Sequence, residues 1–216
     1  MKLYLFDHCP FCVKAMMAAG YAGLEVEYVY LDNHDVAARE RMVGYNAVPI
    51  LEKEDGSFMA ESADIVELLI SKSDKTLAPA VFGERISQWQ ERHQQTLWNL
   101  IFPRDVRLPL PEFAKPEAID YFTRNKSAML GHSFEQALQE TPAHLADMRA
   151  ALGKLDWLLP PSQRDDKRLS WDDIHLFPTL RNLTMVSGLE FGFGLNAYLD
   201  EVSQLTGVAL YRDMAC

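Results

Sequence analysis

Two cysteines separated by two residues are the feature of this sequence best suited to chemistry, in the motif Cys9-Pro10-Phe11-Cys12. They directly follow Leu3 to Phe6, an apolar run typical of a strand, and Phe11 to Ala19 has the pattern of a helix. Cys9 would then lie at a helix N-terminus, where unpaired N–H groups and the helix dipole favour a thiolate. The spacing therefore predicts an acidic, nucleophilic Cys9, with Cys12 placed one turn later to attack a mixed disulfide at Cys9.

The same pair of cysteines permits other interpretations. A structural zinc site needs four ligands, and His8 and Cys216 are the obvious supplements to the pair. Two buried structural thiols are also possible, although they would not require a helix N-terminus. A CxxC motif between a strand and a helix is first interpreted as a redox pair. His8 and Lys14 could each help to stabilise its thiolate by charge, and both could equally be solvated. We therefore favour redox chemistry and expect no metal.

Composition and charge exclude several classes of partner. The 216 residues include 21 Lys and Arg against 31 Asp and Glu, a net charge of −10, and no basic stretch interleaves with aromatic residues. Nucleic acid is therefore not an expected partner. The sequence has no signal-peptide pattern and no apolar run of about 20 residues that could span a membrane. We expect a cytoplasmic protein without a membrane segment, and its three cysteines offer no disulfide framework.

The secondary-structure pattern of the sequence changes near residue 73. Before that point, short strand-like runs alternate with helical ones in the order βαβαββα, which predicts a small mixed sheet flanked by helices. The predicted elements after the first helix are a strand at Val26–Leu31, a helix at Val36–Val43, a hairpin of Val48–Glu52 and Ser57–Ala60, and a helix capped by Ser62. We predict an α/β domain over residues 1–72, a linker over 73–83 and an all-helical domain over 84–216.

Two segments of the helical half carry specific expectations. Ser170 to Asp173 has the pattern of a capping box, and Leu169 and Ile174 form a hydrophobic staple around it. The segment from Pro103 to Pro116 contains four prolines and is predicted to be a loop, which would expose Arg104 and Arg107.

Taken together, three motifs and the helical half resemble one family. The motifs are Cys9-Pro10-Phe11-Cys12, Val48-Pro49 and Glu61-Ser62-Ala63-Asp64, which are similar to those of a glutaredoxin with the thioredoxin fold. The helical half, with its capping box, resembles the C-terminal domain of glutathione S-transferases. The combination covers nearly the whole chain and is specifically similar to the bacterial glutaredoxin-2 family.

This resemblance implies a glutathione site. It implies that the Val48-Pro49 bond is cis, that the Val48 backbone pairs with the cysteinyl part of glutathione, and that Glu61 and Ser62 receive the γ-glutamyl end. Taken alone, Val48-Pro49 could equally be an edge-strand proline, and Ser62 only a helix cap. Glutaredoxins of the small type carry Gly-Gly-x-Asp at the Glu61 position, so the binding pattern here follows the transferases.

The resemblance also implies the activity: a glutathione-dependent dithiol–disulfide oxidoreductase in which Cys9 and Cys12 react and Pro10 and Phe11 lie beside the substrate. Expected partners are glutathione, as the reducing co-substrate, and glutathionylated or disulfide-containing proteins, and we expect a monomer. Two other functions stay open. One is a glutathione transferase acting on electrophiles, disfavoured because Cys9 replaces the usual hydroxyl, and the other is a binding module whose CxxC holds zinc or an iron–sulfur cluster.

Overall fold

A computed structural model describes residues 1–216 of the chain, which fold into two compact units. The first unit contains Met1–Thr76 together with two segments from far along the chain, Pro109–Phe122 and Thr206–Val208. The second unit contains Leu77–Leu108, Thr123–Leu205 and Ala209–Cys216.

A four-stranded mixed sheet forms the centre of the first unit, with the strand order β2-β1-β3-β4. β1 pairs in parallel with β2 and antiparallel with β3, and β3 pairs antiparallel with β4. This confirms the predicted thioredoxin-like arrangement. The elements are β1 (Lys2–Leu5), α1 (Pro10–Tyr21), β2 (Glu27–Tyr30), α2 (Val36–Val43), β3 (Ile50–Glu52), β4 (Phe58–Met59) and α3 (Ser62–Ser71).

Local sequence explains these elements. Leu3 and Leu5 alternate with more exposed residues in β1 and are fully buried, as expected for a strand with one face on the core. The Asp35 side chain caps α2 by accepting a hydrogen bond from the Ala38 N–H at 2.9 Å. α2 stops at Gly44, which has a φ of 85°, a conformation that glycine adopts without strain.

The direction of the strands determines where the helices begin. β4 runs parallel to β1, because both are antiparallel to β3. α1 follows β1 and α3 follows β4, so both helices begin at the same edge of the sheet, and they pack against each other. The N-terminal ends of α1 and α3 therefore lie on the same side of the first unit.

The remaining helices are α4 (Gly83–Asp105), α5 (Pro116–Leu130), α6 (Phe134–Gln139), α7 (Thr141–Leu152), α8 (Trp171–Leu183) and α9 (Phe193–Thr206). No strand occurs after β4, which confirms the predicted helical second half. None of these helices is both long and apolar enough to cross a membrane.

The loop predicted over Pro103–Pro116 begins only after Asp105, and Arg107 is exposed in it as expected, whereas the expectation for Arg104 was wrong. α4 continues through Pro103 to Asp105, because a proline two residues before the end of a helix removes only one backbone hydrogen bond. Arg104 is consequently buried rather than exposed, and it donates hydrogen bonds to the carbonyls of Leu100 and Cys216, both at 2.8 Å.

The capping box at the start of α8 is confirmed. The Ser170 hydroxyl accepts from the Asp173 N–H at 3.3 Å, and the Asp173 carboxylate accepts from the Ser170 N–H at 2.7 Å. Leu169 and Ile174 are both fully buried, as the hydrophobic staple requires. Arg164 adds an ion pair with Asp173 at 2.7 Å.

Candidate active site

Cys9 and Cys12 lie at the start of α1, as predicted. Cys9 is the N-cap residue, with extended backbone geometry, and its carbonyl accepts the first helical hydrogen bond, from Val13 N–H at 3.0 Å. Pro10 occupies the first turn, where its missing N–H is not needed. Cys9 is partly exposed and Cys12 is fully buried, so only Cys9 can meet a substrate directly.

The surroundings give the two thiols opposite acidities. A hydrogen bond from the Cys12 thiol lowers the pKa of Cys9 from 9.0 to about 6, although burial opposes the shift. The charge of His8 and the backbone N–H groups of Cys12 and Phe11 lower the pKa of Cys9 further. Burial raises the pKa of Cys12 well above 9.0, and the hydrogen bond and charge of Cys9 raise it more. The site therefore holds a thiolate at Cys9 beside a thiol at Cys12.

Phe11 and Lys14 form the outer surface beside the cysteines. Phe11 is 56% exposed, which is unusual for a large apolar side chain, and the Lys14 ammonium lies 5.0 Å from its ring centroid. Burial lowers the pKa of Lys14, and the charge of Cys9 opposes that shift. The charges of Lys14 and the Cys9 thiolate therefore interact, which is one of the two possibilities expected for Lys14.

His8 makes a contact that the sequence did not reveal. Its Nδ1 lies 2.6 Å from Glu112 Oε1, and its backbone N–H donates to the same oxygen at 3.0 Å. Both side chains are buried, and the imidazole ring packs between the rings of Phe6, Phe113 and Phe122, with centroid distances of 5.8, 5.1 and 5.1 Å. His8 is therefore buried and hydrogen-bonded to Glu112 rather than solvated.

Glu112 was missed because 104 residues separate it from His8. It lies in a short 3₁₀ helix, Pro111–Phe113, within the proline-rich segment that joins the first unit. The only local signal was a carboxylate flanked by Pro111 and Phe113, which does not distinguish a buried glutamate from an exposed one.

Val48 and Pro49 lie directly before β3, and the bond between them is cis, as the resemblance implied. In the antiparallel register Tyr4 of β1 pairs with Ile50 of β3. The chain that leaves β1 towards Cys9 therefore runs past the segment that enters β3 through Val48 and Pro49. The topology brings Val48 and the cysteines to the same edge of the sheet.

Glu61 and Ser62 begin α3 at that same edge. The expectation that Ser62 is the N-cap was wrong: Glu61 is the N-cap and Ser62 the first helical residue. Glu61 has a φ of 71°, a left-handed conformation that a residue other than glycine rarely adopts and that costs about 1–3 kcal/mol. The Tyr45 hydroxyl donates to its carboxylate at 3.1 Å. The Ser62 hydroxyl forms no hydrogen bond with the protein.

No group of three or more His, Cys, Asp and Glu side chains in the structure is arranged to hold a metal ion. Cys216, the third cysteine, is exposed and unpaired.

Two family models match the chain. Residues 85–215 match the model described as glutaredoxin 2, C-terminal domain, and residues 3–76 match that of the glutathione S-transferase N-terminal domain. The chain is 36% identical over 215 residues to glutaredoxin 2 of Escherichia coli K12, with complete coverage of both sequences.

Solved structures agree with these matches. Glutaredoxin 2 from Salmonella typhimurium, in complex with glutathione, superposes with a TM-score of 0.91 at 37% identity, covering 100% of this chain and 98% of that one. A glutathione transferase from Phanerochaete chrysosporium superposes with a TM-score of 0.64 at 16% identity, covering 94% of this chain and 96% of that one, which supports the fold alone. With the CxxC pair at the start of α1 and these full-length matches, the chain belongs to the glutaredoxin 2 family.

Proposed function

We propose that this protein is a glutathione-dependent dithiol–disulfide oxidoreductase that reduces glutathione mixed disulfides and protein disulfides through Cys9 and Cys12. The observation that carries the proposal is the position of Cys9, a partly exposed residue at the N-terminus of α1 beside the buried Cys12 thiol, which lowers the pKa of Cys9 to about 6. Near pH 7 about nine-tenths of Cys9 is then thiolate, the form that attacks disulfides.

With a glutathionylated protein the reaction needs one cysteine. The Cys9 thiolate attacks the glutathione sulfur, so a Cys9–glutathione disulfide forms and the protein leaves as a thiolate, which takes a proton from water. The thiolate of a second glutathione attacks this disulfide at the glutathione sulfur. Glutathione disulfide is released and the Cys9 thiolate returns.

With a protein disulfide the reaction needs both cysteines. Cys9 forms a mixed disulfide with one protein sulfur, and the other protein sulfur leaves as a thiolate. Cys12 then loses its proton to that leaving thiolate or to water and attacks Cys9, which forms the Cys9–Cys12 disulfide and releases the second protein thiol. Two glutathione molecules reduce this disulfide and leave as glutathione disulfide.

The pKa of Cys12 fits this order of events. Burial holds its pKa high in the resting protein, and the Cys9 thiolate raises it further. Once Cys9 is in a mixed disulfide its negative charge is gone, so the contribution of Cys9 to the pKa of Cys12 disappears. Cys12 therefore becomes easier to ionise only after Cys9 has reacted.

The glutathione site is proposed at the shared edge of the sheet. The Val48 backbone beside Pro49 pairs with the cysteinyl part of glutathione, whose sulfur meets Cys9 next to Pro10 and Phe11. Glu61 and Ser62 receive the γ-glutamyl end. The start of α3 supports this assignment, because a helix N-terminus offers N–H groups to a carboxylate and the Ser62 hydroxyl has no partner within the protein.

Serine variants test the division of labour. In a C216S background, which removes the exposed third thiol, C9S is expected to lose reduction of both a glutathionylated peptide and a protein disulfide. C12S is expected to keep the first activity and lose the second. Survival of disulfide reduction in C9S would refute the mechanism, and loss of both activities in C12S would refute the division of labour.

Two further assays on the unaltered protein separate this function from the two alternatives. A transferase would conjugate an electrophile such as 1-chloro-2,4-dinitrobenzene to glutathione, and we expect far slower conjugation than disulfide reduction. A binding module would hold stoichiometric zinc or iron through Cys9, which metal analysis of freshly purified protein detects. We expect a monomer with glutathione and disulfide-bearing proteins as its partners, and light scattering measures the oligomeric state.

A further inference from the structure

The buried pair of His8 and Glu112 has no part in the thiol exchange steps described above. We propose that Glu112 is a positioning residue for the reaction, which holds the His8 imidazole beside Cys9 in its protonated form so that its charge stabilises the thiolate. This inference rests on the proposed role of Cys9 and adds a residue from the proline-rich segment.

The geometry fixes both the backbone and the ring of His8. One carboxylate oxygen, Glu112 Oε1, accepts from the His8 backbone N–H at 3.0 Å and lies 2.6 Å from Nδ1. The three phenylalanine rings packed around the imidazole leave it little room to rotate. Since His8 directly precedes Cys9, a fixed His8 also fixes the charge beside the sulfur.

The segment that carries Glu112 is itself held in place. The Glu112 carbonyl accepts from the Asn33 N–H at 3.0 Å, and Lys115 pairs with Asp32 at 2.6 Å. These contacts are all within the first unit. Glu112 therefore reaches His8 from an anchored backbone.

Burial requires a positive partner for the Glu112 carboxylate. Its side chain is completely buried, and its second oxygen, Oε2, accepts no hydrogen bond. A buried carboxylate is costly unless it is paired and hydrogen-bonded, and the group in contact with it is the His8 imidazole, which is a cation when protonated. At 2.6 Å the contact is shorter than an ordinary N–H···O hydrogen bond of about 2.9–3.0 Å, and shortening of this kind is typical of charge-assisted hydrogen bonds.

His8 and Glu112 act in opposite directions on the pKa values of the two cysteines. His8 is the positive end and lowers the pKa of Cys9, after the stronger effect of the Cys12 hydrogen bond. Glu112 is the negative end and adds to the raised pKa of Cys12, after burial and the effects of Cys9. The pair thus favours a thiolate at one sulfur and a thiol at the other.

Other charged groups near this pair have separate roles. Lys14 on α1 faces the Cys9 thiolate, and the Arg39 guanidinium on α2 lies 5.1 Å from the Phe6 ring centroid. Asp7 precedes His8 in the chain. The Glu112 carboxylate accepts from the His8 backbone N–H and contacts the His8 ring, so its loss should act through His8.

The test is the E112Q variant in the C216S background, which keeps the side-chain shape and removes the charge. Absorbance of the thiolate at 240 nm against pH, with C9S as the baseline, gives the Cys9 pKa. It is expected to rise from about 6 by about 1, in the range that the loss of one nearby charge produces. The matched control E117Q removes an exposed carboxylate from the same segment and is expected to leave the pKa unchanged. An unchanged Cys9 pKa in E112Q would overturn the proposal.

A double-mutant cycle separates positioning from a merely structural effect. If Glu112 acts through His8, E112Q should not raise the Cys9 pKa when His8 is already replaced by Gln. An equal rise with and without His8 would show that Glu112 acts by another route. These pKa measurements use no glutathione, so their outcome is independent of the C9S activity assay. The role of Glu112 can be refuted while the oxidoreductase function is confirmed, and the reverse is also possible.

One measurement avoids the risk that E112Q does not fold. Nitrogen and carbon NMR shifts of the His8 ring in the unaltered protein report its protonation directly. We expect both ring nitrogens to be protonated at pH 7. A neutral His8 ring at pH 7 would refute the proposal without any substitution.

Discussion

Replacing Cys12 by alanine separates its electrostatic effect on Cys9 from its role in resolving a mixed disulfide. The hydrogen bond from the Cys12 thiol is the largest of the influences that lower the pKa of Cys9 from 9.0 to about 6. That drop of about 3 corresponds to roughly 4 kcal/mol in favour of the thiolate, at 1.36 kcal/mol for each unit of pKa. C12A removes the hydrogen bond and leaves the His8 charge and the helix N-terminus in place.

The expected pKa of Cys9 in C12A is about 7 or higher, because the strongest of several favourable contributions should account for at least about 1 of the drop. At pH 6.5 the thiolate fraction would fall from about three-quarters to about one-quarter. A more basic thiolate is also more nucleophilic, by roughly threefold per unit of pKa for a Brønsted coefficient of about 0.4–0.5. The two effects nearly cancel at pH 6.5, and only the gain in nucleophilicity remains at pH 8.5.

Alkylation by iodoacetamide across this pH range is the assay, in the C216S background so that Cys9 is the reactive thiol. C12A should show a midpoint shifted upwards by at least about 1 and a plateau rate roughly threefold higher at pH 8.5. Mass spectrometry locates the adduct at Cys9. A midpoint that stays at about 6 would show that the Cys12 hydrogen bond does not control Cys9 and would refute this reasoning.

Three further predictions concern stability and binding. A Cβ at Gly20 would lie 1.8 Å from the Thr206 carbonyl oxygen, so G20A should lower the melting temperature by at least about 5 °C. The control G153A adds its Cβ in open space and should leave the melting temperature unchanged, and equal effects of the two substitutions would contradict this reasoning. S170A removes the capping box of α8 and should cost about 1 kcal/mol of unfolding free energy in urea titrations with reductase activity retained, and an unchanged midpoint would argue against the cap. Because the Ser62 hydroxyl does not cap α3, S62A should retain the stability of the protein. It should raise KM for a glutathionylated peptide about tenfold at similar kcat, and an unchanged KM would show that Ser62 does not contact glutathione.

Local patterns in the sequence predicted most of the first unit. Alternating apolar residues indicated the strands, Gly44 ended α2 where expected, and the CxxC pair between β1 and α1 indicated a nucleophile. These features depend on residues within one or two turns of each other. The capping box at Ser170 was predictable for the same reason.

The features that were missed or wrongly predicted depend on distant residues or on an unusual backbone conformation. Glu112 is paired with His8 across 104 residues, and nothing near Glu112 in the sequence predicts that contact. Arg104 was expected on a loop because of the surrounding prolines, but α4 includes it and buries it. Glu61 rather than Ser62 is the N-cap of α3. Its positive φ could not be predicted, because residues other than glycine rarely adopt that conformation.

The most direct test of the central claim is a crystal structure of the C12S variant trapped as its mixed disulfide with glutathione. The proposed mechanism predicts a glutathione sulfur bonded to Cys9, the cysteinyl backbone paired with Val48, and the γ-glutamyl carboxylate at the start of α3 beside Ser62. Glutathione bonded to Cys216 instead, or bound at Cys9 with its γ-glutamyl end away from Glu61 and Ser62, would contradict it.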